Sequence, residues 1–137
     1  IKYSDLEEYE SIVDLLPNKK DYAIILMESS FQVGHWVALL RDDDVIEYFN
    51  SYGSPISFEL DLNSDKVNKE LDQDIKYLNL LLTEALTNFK IIYNKKVFQS
   101  MDNKVSTCGR WILLRIIFIL LDKYLNGDLL VTFLVNE

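Results

Sequence analysis

Apolar residues recur along the chain with two different spacings, and these spacings predict where helices and strands lie. Ser4 and Glu7 have the separation of a capping box, in which a helix begins. Apolar side chains then recur every three or four residues, at Leu6, Tyr9, Ile12, Val13 and Leu16. Pro17 cannot continue a helix. The first segment therefore predicts a single helix that ends before Pro17.

Three short apolar segments follow, and their length and composition predict β-strands at residues 22–27, 35–41 and 45–49. A loop is expected at residues 28–34, and the second and third strands are close enough for a hairpin through Asp42-Asp43-Asp44. Three aspartates can form part of a cation site. A solvated turn is the better interpretation, because no further oxygen ligands are spaced around them.

The second half of the chain predicts further helices and one more strand. Residues 64–88 have a helical pattern with a break near Asp72, residues 89–93 a strand pattern and residues 95–107 a loop pattern. Residues 109–125 are apolar almost all round, which predicts a central buried helix. Residues 128–135 fit a strand or a short helix, and the pattern does not decide between them. The whole pattern predicts a single α+β domain over residues 1–137.

Composition narrows the class of protein. The 137 residues are 49% hydrophobic and 26% charged, as in ordinary globular domains. A single cysteine excludes internal disulfides and favours a reducing, intracellular compartment. The net charge of −8 argues against nucleic acid as a partner, and no apolar segment is long enough to cross a membrane. We expect a monomer without cofactor or metal. Frequent Ile, Asn, Lys, Asp and Tyr are typical of AT-rich genomes, such as those of large DNA viruses or virophages.

The only cysteine, Cys108, stands where a polar loop meets the apolar helix. Unpaired N–H groups and the positive end of the helix dipole favour a thiolate there. A lone cysteine is more often a small buried hydrophobic residue, so a catalytic role needs partners. The only histidine, His35, opens a predicted strand and can serve as the base that a thiol nucleophile requires.

Four further residues are candidates for a functional role, and each can also be interpreted as purely structural. Asn50 ends the next strand, where its amide can orient an imidazole, although asparagine is also a common turn residue. Gln99 precedes Cys108 and can donate a hydrogen bond to an oxyanion, or is simply a loop residue. Trp36 can contact a substrate backbone or belong to the core, and Gly34 lets the chain bend close to the imidazole.

The order of these residues and the local sequence around them are similar to those of a known family. The strings Gly34-His35-Trp36-Val37-Ala38-Leu39 and Ile46-Glu47-Tyr48-Phe49-Asn50-Ser51-Tyr52-Gly53, and the loop Gln99 to Gly109, resemble the adenain and ubiquitin-like-protein-specific cysteine proteases. The resemblance implies a small mixed β-sheet packed against a central buried helix that starts at the catalytic cysteine. It also implies roles for four residues: Cys108 as nucleophile, His35 as base, Asn50 as the orienting residue and Gln99 as oxyanion donor.

The third position of that family is commonly Asp or Glu, whereas Asn50 stands there in this chain. Glu47 is an alternative carboxylate, but strand alternation places it on the opposite face from Asn50.

The resemblance implies a cysteine endopeptidase, most similar to a small viral or virophage maturation protease. It would cleave capsid or core precursors at small, Gly-rich sites, because a narrow cleft beside Trp36 excludes larger side chains. It would work in the virion or the viral factory. Two alternatives stay open. One is a protease that removes ubiquitin or a ubiquitin-like modifier, as deubiquitinases and deSUMOylases do. The other is a catalytically silent binding module on the same fold.

Overall fold

A mixed β-sheet forms the centre of the fold. The structure is a computed structural model that describes residues 1–98 and 108–125. Its strands are β1 (Tyr22–Ser30), β2 (Val33–Asp42), β3 (Val45–Phe49) and β4 (Lys90–Tyr93). Its helices are α1 (Ile12–Leu15), α2 (Asp65–Glu70), α3 (Tyr77–Ala85) and α4 (Cys108–Leu125), with 3-10 helices at Tyr3–Glu8 and Phe58–Leu62. The described residues therefore have the predicted α+β composition.

The sheet has the strand order β1-β2-β3-β4, antiparallel in its first two pairs and parallel between β3 and β4. Successive residues of β2 face opposite sides: Val37 and Leu39 belong to the larger core cluster, whereas Ala38 and Leu40 belong to a smaller one. The larger cluster also contains residues of the N-terminal segment and of α3. The smaller cluster contains Ile112 of α4. The helix that begins at Cys108 therefore covers one face of the sheet, and α3 the other.

The prediction of a loop at residues 28–34 was wrong, because β1 and β2 extend into this segment and leave a turn at Phe31 and Gln32. Gln32 adopts a left-handed backbone with φ of 60°. Ser29 and Ser30 are weak strand formers, so local preference hid a strand that pairing with β2 stabilises. A Cβ atom on Gly34 would clash with the Met27 carbonyl oxygen, so glycine is needed where the two strands approach.

The predicted N-terminal helix is divided into two short pieces, so the prediction of a single helix was wrong. Lys2 caps the first piece through its backbone N–H and the Asp5 carboxylate, 2.8 Å apart. Ser11 begins α1 by a reciprocal cap, with its N–H on the Asp14 carboxylate at 3.2 Å and its hydroxyl accepting from the Asp14 N–H at 3.4 Å. This second cap competes with helix continuation across Tyr9, which is extended.

The remaining predictions have mixed outcomes. The β2–β3 hairpin is confirmed, and Lys20 makes ion pairs with Asp42 and Asp43 at its turn. A break near Asp72 is also confirmed, since α2 ends at Glu70 and Asp72 has φ of 53°.

Helix α4 is not buried all round, contrary to the prediction. The exposed fractions of Leu113, Leu114 and Ile117 are 57%, 40% and 50%, because only one side of α4 packs on the sheet. Among the described residues, no helix combines the length and apolar character needed to cross a bilayer. Gln99 and residues 128–135, on which two predictions rest, lie outside the described residues.

Candidate active site

The candidate base, His35, lies at the end of the sheet where β2 extends past β3. His35 is the third residue of β2 and is 7% exposed. Pairing between β2 and β3 begins at Ala38, so the space beside His35 is left to the segment that follows β3. The Asn50 side-chain oxygen Oδ1 occupies that space, 2.7 Å from His35 Nε2. The predicted contact between Asn50 and the imidazole is therefore present.

Asn50 is fixed through its backbone as well as its side chain. Its N–H donates to Oδ1 of Asn94 at 2.9 Å, and Nδ2 of Asn94 donates back to the Asn50 carbonyl at 2.6 Å. The following residues form a turn in which the Gly53 N–H donates to the Asn50 carbonyl, and Gly53 has φ of 68°. Asn94 was not identified from the sequence, since one loop asparagine carries no distinguishing signal.

The Asn50 amide has two more partners. Its Oδ1 also accepts the Tyr52 backbone N–H at 2.9 Å, and its Nδ2 donates to Oε1 of Glu59 at 2.7 Å. Glu59 lies in the 3-10 helix Phe58–Leu62 and is buried. Glu59 was not identified from the sequence, because it belongs to no motif and is positioned only by the irregular chain between β3 and α2.

The candidate nucleophile lies next to the backbone of the residue after the base. Cys108 begins α4, and the Trp36 backbone N–H donates to its sulfur at 3.4 Å. Trp36 has no partner on β3, which leaves this N–H for the sulfur. A donor aimed at sulfur, together with the N-terminus of an α-helix, favours the thiolate.

The two nitrogens of the His35 ring have different surroundings. Nε2 contacts Asn50, whereas Nδ1 is buried and has no hydrogen-bond partner among the described residues. A structural histidine in a core normally has both nitrogens satisfied. Nδ1 is therefore the nitrogen available to exchange a proton with a thiol. Of the four predicted catalytic residues, His35, Asn50 and Cys108 lie in one region, and Gln99 is outside the described residues.

Tyr52 forms a wall of the site. Its ring stacks on the imidazole of His35, with centroids 3.9 Å apart and an interplanar angle of 11°. Burial, and then electrostatic repulsion from Cys108 and Glu59, raise the pKa of Tyr52, so its phenol stays neutral. The available signal was its place in the Ser51-Tyr52-Gly53 turn, where an aromatic residue is part of the family resemblance.

The alternative carboxylate, Glu47, is engaged elsewhere. It forms an ion pair with Arg115 of α4, in which Arg115 Nε donates to Glu47 Oε2 at 2.7 Å. Glu47 thus lies on the α4 face, as strand alternation predicts, and Asn50 is the group on the imidazole. Trp36 is partly buried against the smaller core cluster, and Gly34 is required by strand packing. Contact of either residue with substrate stays a prediction.

Comparison with known proteins gives one informative relative. A protein of Sputnik virophage, called "Uncharacterized protein V9", is 36% identical over 125 residues, which cover 90% of this chain and 70% of the relative. No protein-family model matches the chain. No solved structure matches it either.

Proposed function

The chain belongs to the family of the Sputnik virophage protein V9, and from this premise we propose that it is a cysteine endopeptidase. Cys108 is the nucleophile, His35 the general base and acid, and Asn50 the residue that orients the imidazole. Gln99 completes the set as oxyanion donor, as the resemblance to adenain and the ubiquitin-like-protein-specific proteases implies.

One observation carries this proposal: the only histidine of the chain has one ring nitrogen on an amide oxygen and the other unpaired, and the sulfur of the only cysteine accepts a hydrogen bond from the backbone N–H of Trp36, the residue after that histidine. His35 Nε2 contacts an amide oxygen that fixes the ring, and the sulfur lies against the backbone of the next residue. A buried cysteine and a buried histidine placed only for packing need neither the unpaired nitrogen nor the aligned amide.

The reaction follows from these positions. His35 Nδ1 accepts the Cys108 thiol proton while the sulfur attacks the carbonyl carbon of the scissile amide. The backbone N–H of Cys108 and the side chain of Gln99 stabilise the negative charge on the carbonyl oxygen. The imidazolium gives its proton to the leaving amine, and a thioester remains. Water then attacks the thioester, gives a proton to the imidazole and releases the acid, after which the thiol is restored.

The proposed substrates are capsid or core precursors of a virus. The virophage relative supports a viral setting, and a protease of this size would process proteins within a viral factory or virion. Cleavage is expected at small, Gly-rich sites, because the family resemblance implies a narrow cleft beside Trp36. No metal or cofactor is needed for this chemistry.

The test compares the protein with Cys108→Ala, using virophage virion proteins and ubiquitin-like fusions as separate substrate pools. Mass spectrometry should find new N-termini among the virion proteins after treatment with the wild type and not with Cys108→Ala. Cleavage confined to the ubiquitin-like fusions would favour modifier removal instead.

Alkylation with iodoacetamide provides the companion measurement, because any adduct must be on the single cysteine. Rapid alkylation with no cleavage in either pool would favour a binding module. Identical cleavage by the wild type and Cys108→Ala would exclude Cys108 as the nucleophile.

A further inference from the structure

A carboxylate lies directly behind the amide that contacts the imidazole. Glu59 is 8% exposed, and its Oε1 accepts the Asn50 Nδ2–H at 2.7 Å. Asn50 Oδ1 in turn lies 2.7 Å from His35 Nε2. Three buried side chains thus form one row, in which Glu59 is separated from the imidazole by a single amide.

The chemistry of this row allows one orientation of the Asn50 amide. The Tyr52 backbone N–H can only donate, so the Asn50 atom 2.9 Å from it must be the oxygen. An ionised carboxylate can only accept, so the atom facing Glu59 must be the nitrogen. Because the amide oxygen faces His35, Nε2 of the neutral imidazole must carry the hydrogen. The unprotonated nitrogen is then Nδ1, which is the one the proposed reaction uses.

Stability alone does not explain a carboxylate at this place. The second oxygen of Glu59, Oε2, is buried and has no hydrogen-bond partner among the described residues, which is costly for a charged group. Tyr48 lies near it, and burial followed by the charge of Glu59 raises the pKa of Tyr48, so the phenol stays neutral. Tyr48 therefore brings no charge of its own to this place.

We propose that Glu59 is a positioning residue that acts through Asn50, holding the amide oxygen on His35 so that the imidazole keeps its hydrogen on Nε2. Its charge also stabilises the imidazolium that forms when Cys108 gives up its proton. Asn50 and Glu59 together thus supply what a single Asp or Glu would supply in direct contact with the ring. This inference rests on the proposed function.

The experiment uses the full chain and needs no protein substrate. Nitrogen-15 NMR of the imidazole reports the tautomer without ambiguity, because His35 is the only histidine. The rate of Cys108 alkylation by iodoacetamide at neutral pH reports thiolate formation. Glu59→Ala removes both the acceptor and the charge, Glu59→Gln keeps an acceptor but removes the charge, and Glu28→Gln neutralises another buried glutamate, which binds the Gln32 N–H and does not belong to the row of His35, Asn50 and Glu59.

The wild type should show the Nε2–H tautomer. Glu59→Ala should populate the Nδ1–H tautomer, whereas Glu59→Gln should keep the wild-type tautomer but slow alkylation by about tenfold. Glu28→Gln should change neither quantity. If Glu59→Ala fails to fold, Glu59→Gln alone decides: an alkylation rate equal to that of the wild type overturns the proposal. An Nδ1–H tautomer in the wild type also overturns it.

Failure of this inference can be told apart from failure of the proposed function. Suppose that the wild type cleaves protein, Cys108→Ala does not, and both Glu59 variants keep the wild-type tautomer and alkylation rate. The proposed function would then stand, and the proposed role of Glu59 would be excluded. If the NMR and alkylation results are as expected but no protein is cleaved, the positioning role of Glu59 would stand and proteolysis would be excluded.

Discussion

Asn50 has a conformation set by three neighbours rather than by its own preference for turns. Asn94 fixes its backbone, while Tyr52 and Glu59 fix the two ends of its amide. The amide is thereby aligned on His35 before any substrate arrives. Such preorganisation is the main means by which a protein places a neutral group where an imidazolium must later form.

Removal of this amide should affect turnover more than substrate binding. We expect Asn50→Ala to lower kcat by on the order of tenfold to a thousandfold with a small change in KM, because the imidazole loses its orientation in the transition state. Steady-state kinetics on a cleaved peptide provide the measurement. Glu47→Gln is the control, since Glu47 binds Arg115 on the other face. Loss of turnover in Glu47→Gln with a harmless Asn50→Ala would show that Glu47 is the orienting residue.

The sequence and the structure predict different effects of an aspartate at position 50. The sequence alone predicts that Asn50→Asp keeps activity, because the acceptor stays and a charge is added. The structure reverses this, since a carboxylate oxygen would replace the nitrogen that lies 2.7 Å from Glu59. We expect Asn50→Asp to lose about 1 to 3 kcal/mol of unfolding free energy and most of its activity.

The double variant Asn50→Asp with Glu59→Gln should recover both properties, because the new amide at position 59 can donate to the new carboxylate. Urea unfolding and kcat/KM for the four chains give a double-mutant cycle. Additive losses in the double variant would contradict the direct coupling of these two side chains.

The sequence was sufficient to identify the candidate catalytic residues and insufficient for the residues that hold them in place. His35, Asn50 and Cys108 stand in strings whose order is informative even before folding. Glu59 is placed by Ser57, whose left-handed backbone (φ of 62°) starts the short 3-10 helix, and such an irregular segment has no periodicity to detect. Asn94 holds the Asn50 backbone from 44 residues further along the chain, and only tertiary folding brings the two residues together.

At the scale of elements, hydrophobic spacing located the strands well and the ends of helices poorly. Strands β3 and β4 lie where alternation or apolar character predicted them. The segment from Ser4 to Leu16 was predicted as one helix, because its apolar spacing is helical even though Ser11 and Asp14 form a competing cap. Apolar content also overstated the burial of α4, since composition does not tell how many neighbours an element has.

The attachment of α4 to the sheet should depend on one side of the helix. Ile112 is buried in the smaller core cluster, so Ile112→Ala should cost about 2 to 5 kcal/mol. Leu113→Ala is the matched control at the next position, where the side chain is 57% exposed, and should change stability by about 0.5 kcal/mol or less. Hydrogen exchange should show lost protection in α4 with β1 to β3 unchanged. Equal effects of the two substitutions would mean that α4 packs differently.

At the scale of the whole molecule, charge sets the expected relation to nucleic acid. The net charge of −8 opposes contact with phosphates, so DNA should not act as a strong activator. The measurement is the rate of peptide cleavage with and without DNA at low salt. A large stimulation that disappears at higher salt would show that Lys95, Lys96 and Arg110 outweigh the overall charge.

The two core clusters become complete at different times as the chain leaves the ribosome. Among the described residues, the larger cluster and the residues packed against it come from residues 3–91, so they leave the ribosome before Cys108 does. The base and its amide partner already lie within that earlier part. A nascent chain can therefore bring His35 and Asn50 together before Cys108 leaves the ribosome. Under the proposed mechanism, a chain whose Cys108 has not yet reached His35 would be inactive toward the proteins around it.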